Sequence, residues 1–116
     1  MTRKQAIFHE RILRGMGVYK PYVSTADDLM YIESYPLTAI VKNSPVDPER
    51  GPCHAVKITD ASLARENADS TLTTLRVFIG QDLLRVVGQL LMDFHGPAYE
   101  RAQAQDAQAG IEGRRK

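Results

Sequence analysis

The sequence predicts an α+β fold: a mostly helical small domain with a short two-stranded sheet and one long apolar helix. Three observations carry that expectation. Residues 71–94, TLTTLRVFIGQDLLRVVGQLLMDF, are far more apolar than the rest, and their large side chains step by three or four. Residues 4–16 also place apolar side chains at helical spacing. Two short β-prone runs, LTAIV at 37–41 and AVKI at 55–58, flank a proline-rich stretch.

From the start of the chain, Phe8, Ile12, Leu13 and Met16 line one side of an amphipathic helix over Lys4–Met16, and Gly15 and Gly17 stop it. Val18–Val23 is extended, because Pro21 disfavours helix at Lys20. Ser24 and Thr25 are good N-caps for a short helix, with Asp27 and Asp28 in its first turn and Pro36 closing it. Leu37–Val41 is the first strand. NSPVDPERGP at 43–52 is a loop, and Ala55–Ile58 is the second strand. Asp60 caps a short helix over 61–68, and Asp69–Ser70 offers a further cap.

At ~100° per residue, Leu72, Leu75, Ile79, Leu83, Val86, Leu90 and Phe94 make one continuous stripe. Val77, Leu84, Val87 and Leu91 widen it beyond the usual apolar face of a surface helix. An ordinary core helix has the same pattern, but so wide a face exceeds what the remaining sequence can cover. The stripe, helped by Phe8 and Ile12, is therefore the expected partner or dimer interface. Arg76 disagrees, since it falls within the stripe. The alternative is a strand over TTLRVFI, with Thr73, Leu75, Val77 and Ile79 on one face and Thr74, Arg76 and Phe78 on the other. Gly80 then turns the chain into a helix over Gln81–Phe94. Strand, helix, break and helix is the order of a ribbon-helix-helix DNA-binding protein, in which Thr74 and Arg76 of a dimer's ribbon would meet the major groove.

His95–Gly96–Pro97 ends the apolar segment, and Pro97 opens a last helix with few large apolar residues after Tyr99. The expected organisation is one globular domain over 1–96, then a polar helix and a disordered basic tail over 97–116.

The totals narrow the function. The 116 residues suffice for one domain, and 43% hydrophobic with 25% charged residues is ordinary for a globular protein. A net charge of +1 lacks the basic excess of most nucleic-acid binders. A lone Cys53 excludes an intramolecular disulfide, and no signal-peptide or membrane-span pattern is present, so the expected location is cytoplasmic. Three scattered histidines show no metal-ligand spacing, and there is no phosphate loop. The expectation is a protein that is not an enzyme and needs no cofactor.

MTRKQAIFHERILRGMGVYKPY at 1–22, combined with TLRVFIGQDLLRVVGQLLMDF at 74–94, resembles the QslA-like anti-activators of bacterial quorum sensing. The resemblance implies a homodimer that lowers transcription by binding a LuxR-type activator such as LasR. It would block that activator's dimerisation or DNA binding without itself touching DNA.

Overall fold

The computed structural model describes residues 2–49, 51–63, 69–78 and 80–114. Helix α1 (Arg3–Met16) is followed by β1 (Tyr22–Ala26), β2 (Leu29–Ser34), β3 (Leu37–Asp47), β4 (Gly51–Asp60), β5 (Thr71–Phe78) and helix α2 (Leu83–Arg114). One 3₁₀ turn, Ala61–Leu63, follows β4. The strands form a single antiparallel meander in the order β1-β2-β3-β4-β5. The expected mostly helical domain with a two-stranded sheet is thus overturned: the fold is α+β with a five-stranded sheet and two helices.

Helix α1 forms as its spacing predicts. The Thr2 hydroxyl accepts from the Gln5 N–H, and Gln5 Oε1 accepts from the Thr2 N–H, so two orphan donors are satisfied reciprocally. Gly17 ends the helix at φ 109°, a left-handed position that suits glycine.

The expected short helix at 24–35 is instead the hairpin β1–β2. Asp27 and Asp28 form its two-residue loop with φ of 53° and 64°, the doubly positive pattern that matches strand twist. Aspartate tolerates that region better than most residues. The strand of 37–41 extends to Asp47 and that of 55–58 covers Gly51–Asp60, so most of the expected loop at 43–52 is ladder. The pairing shifts register between Ser44 and Asp47, the stretch that contains Pro45.

Residues 71–94 are not one helix. Thr71–Phe78 is a strand, and the chain turns at Gly80 (φ 98°) before α2 begins. Threonines and Val77 favour the strand, and it lets Arg76 face outward while Leu75 and Val77 face in. Helix α2 then runs through Pro97 without the expected break. The proline removes one main-chain bond, but the turns beyond it are held by packing and polar ties: Ala98 and Ala102 are buried, and Arg101 and Gln105 bond to the 3₁₀ turn.

One face of the sheet carries the core. Val23, Ile32, Ala39 and Ile58 stand in register across four strands and are fully buried. Met30, Val41, Val56 and Leu75 form the next row. Helix α1 lies over β1, and α2 lies over β3 and β4. The helices touch where Gly88 meets Met16 and Leu13. The opposite sheet face, with Tyr31, Ile40, Lys42, Lys57, Thr74 and Arg76, has no helix on it among the described residues.

Candidate functional site

Strand β5 and the first turns of α2 hold most of the residues that the sequence marks as an interface. Gln81 closes the turn between them: its side-chain Oε1 accepts from the Phe78 N–H at 2.9 Å, and its main-chain N–H donates to the Phe78 carbonyl at 3.1 Å. Asp82 caps α2 by accepting from the Arg85 N–H. From there Val87 and Leu91 point into the core and are fully buried.

The side of α2 that carries Gly88, Met92, His95 and Tyr99 meets α1 and the residues after it. Leu83, Val86, Leu90 and Phe94 lie on another side by helical rotation. Because α1 sits over β1, this side of α2 faces the β4–β5 end of the sheet. All four are half-buried against the core, as are Leu72 and Leu75 of β5. Leu72 and Leu75 of β5 and Leu83, Val86, Leu90 and Phe94 of α2 are thus each packed against the core. Ile79 lies outside the described residues.

Phe8 and Ile12 are elsewhere. They sit one turn apart on the solvent side of α1, and they are 61% and 38% exposed. Ile7 beside them is also 38% exposed. The charged side chains around this strip are basic: Lys4, Arg11 and Arg14 are exposed, and the helix's one acid, Glu10, is buried in an ion pair with Arg3 at 3.2 Å.

Thr74 and Arg76 do lie on an exposed strand face. Strand β5 is hydrogen-bonded to β4 of the same chain, and a single continuous helix follows it. The ribbon-helix-helix arrangement is thus overturned as well.

Two polar constellations escape a reading of the sequence. A cleft of about 630 Å³ opens between α1, the β1–β2 turn and the start of α2. His9, Asn43, His54, Asp27, Asp28 and Asp82 line it above Met30, Val41 and Leu84. These residues come from five separate segments, so no local spacing announces them. The second is an aromatic cluster of Tyr19, His95 and Tyr99 with ring centroids 4.8–5.3 Å apart, in which His95 stacks on Tyr99 and Tyr19 meets Tyr99 edge-on. A hydrogen bond from Tyr99, then one from Lys20, lowers the Tyr19 hydroxyl below its ordinary pKa, while the bond to Tyr19 raises Tyr99. The i, i+4 pair His95–Tyr99 was the available signal, but the expected break at Pro97 hid it.

Cys53 and His54 occupy neighbouring positions on β4 and so point to opposite sheet faces. Among the described residues, no group of three or more His, Cys, Asp or Glu side chains is placed to hold a metal ion. No described helix is long and apolar enough to cross a membrane. Compared with known proteins, the chain matches no family model, no curated protein and no solved structure.

Proposed function

We propose that the protein is a non-enzymatic regulator that works by protein–protein contact, and that it presents the Phe8–Ile12 strip of α1 to its partner. The observation that carries this reading is the exposure of Phe8 and Ile12, with Ile7, on a helix whose Ala6 and Leu13 are buried and whose Met16 is half-buried. Anchors at i and i+4 are how a helix enters an apolar groove. The basic rim of Lys4, Arg11 and Arg14 calls for acidic side chains around that groove.

The partner class is thus a protein with an apolar groove and an acidic rim. In the anti-activator form of the proposal it is a LuxR-type activator such as LasR, and the support for that form is the resemblance of residues 1–22 and 74–94. Fully burying a Phe or Ile side chain is worth about 1.5–3 kcal/mol. Losing either anchor should therefore weaken the complex roughly ten- to hundredfold.

The test is capture of bound proteins and DNA from bacterial extract, with and without nuclease, using the native chain, Phe8→Asp and Ile12→Asp. The proposal expects a nuclease-resistant transcription regulator that both variants lose while their circular dichroism stays native. Retention of that protein by both variants would overturn the surface. A bound DNA segment released by nuclease would overturn the reading itself.

A further inference from the structure

The cleft between α1, the β1–β2 turn and the start of α2 opens onto the core face of the sheet. One row of that face, with Ile32 and Ala39, is fully buried. In the next row, toward the β1–β2 turn, Met30 stands beside Val41 and is only half-buried, and Asn43 pairs with His54 beyond it. Helix α1 reaches this space through His9, and α2 reaches it through Leu83 and Leu84, which are half-buried as well. Apolar side chains on the helix-bearing side of the sheet thus line a concave space of about 630 Å³, a volume typical of small-molecule sites.

The formal charges around it are of one sign. Asp27, Asp28 and Asp82 line the cleft, and no lysine or arginine does. The whole chain carries a net charge of +1, so this is local segregation rather than general acidity. None of the three carboxylates has an ion-pair partner among the described residues. A concave site walled by one sign of charge focuses its field and gathers the opposite charge. An inorganic cation is a poor match, because the described side chains offer no metal-ligating group and the floor is apolar. On the α1 wall, His9 Nδ1 is buried without a hydrogen-bond partner, a polar group that a ligand can satisfy.

We propose that this cleft binds a small organic ammonium, with its apolar body against Met30, Val41 and Leu84 and its cationic head among Asp27, Asp28 and Asp82. The proposal does not rest on the Phe8–Ile12 strip.

The test is amide NMR of the full chain, titrated at constant ionic strength with phenethylammonium and with hexylammonium. Both should give saturating shifts at Asp28, Met30, His54 and residues 82–84, with a dissociation constant on the order of 1 mM. Hydrocinnamate, the same phenethyl body carrying a carboxylate, should bind at least roughly tenfold more weakly. Asparagine suits both positive φ and a helix cap, so Asp27→Asn, Asp28→Asn and Asp82→Asn keep the fold. Each should weaken phenethylammonium roughly 2- to 5-fold, the modest share of an exposed charge. The triple variant should weaken it at least roughly tenfold while leaving the neutral phenethyl alcohol unaffected. Absence of saturating shifts at the cleft with both ammonium probes overturns the proposal. So does hydrocinnamate that binds as well as phenethylammonium, or a folded triple variant that holds phenethylammonium as tightly as the native chain. Ammonium chloride that gives the same saturating shifts overturns the apolar half of the site.

Discussion

Asp60 shows how single residues fasten this fold. Its side chain is fully buried at the end of β4, where it accepts from the Ser62 N–H at 2.8 Å, the Ser62 hydroxyl at 2.6 Å and Arg101 Nη2 at 2.6 Å. Burial raises its pKa, but the bonds from Ser62 and Arg101 outweigh that, and the carboxyl ends below its ordinary value. A depressed folded-state pKa adds stability that is fully present above the unfolded value of about 4 and is lost as pH falls below it. Thermal melts should therefore show a drop in stability below about pH 4 that is weaker in Asp60→Asn. Arg101→Ala leaves the carboxylate buried without its cation. It should cost roughly 2–3 kcal/mol in urea unfolding at pH 7, below the loss for a wholly buried pair because Arg101 is 39% exposed. Gly88 is the second such residue. A Cβ there would stand 2.7 Å from Met16 Cε and 3.2 Å from Leu13 Cδ2. Met16 can swing aside, and alanine gains about 1 kcal/mol of helix propensity, so Gly88→Ala should be near neutral. Gly88→Leu should cost about 1–3 kcal/mol, read from the same unfolding curves.

Among the elements, α1 formed over the expected residues because its spacing, cap and stop glycine all agree. The stripe at 71–94 misled because Leu75, Ile79 and Leu83 fit a period of 3.6 while Thr73, Leu75 and Val77 fit a period of 2. Arg76 was the deciding residue: it is costly inside a helical stripe and at ease on an exposed strand face. The β1–β2 hairpin was hidden by its own turn. Ser-Thr-Ala-Asp-Asp reads as a helix cap followed by a first turn, and the Asn-Gly or Asp-Gly pair that usually announces such a loop is absent. The bond from the Val23 N–H to Glu10 Oε1 joins residues far apart in sequence and had no local signal. Glu10→Ala should strip the Val23 N–H of its acceptor and cost about 1–3 kcal/mol. Amide exchange at Val23 should then accelerate far more than exchange at Ile32, which lies within the paired ladder.

For the molecule as a whole, the candidate surfaces were partly legible. The apolar residues expected to meet a partner divide: Phe8 and Ile12 are exposed on α1, while Leu72, Leu75, Leu83, Val86, Leu90 and Phe94 are half-buried against the core. No helical projection could separate them, because the division depends on which edge of a five-stranded sheet each helix covers. Capture from bacterial extract with the native chain, Phe8→Asp and Ile12→Asp tests the exposed α1 strip most directly. The account predicts a nuclease-resistant protein that both variants lose. Retention of that protein by both folded variants would contradict it.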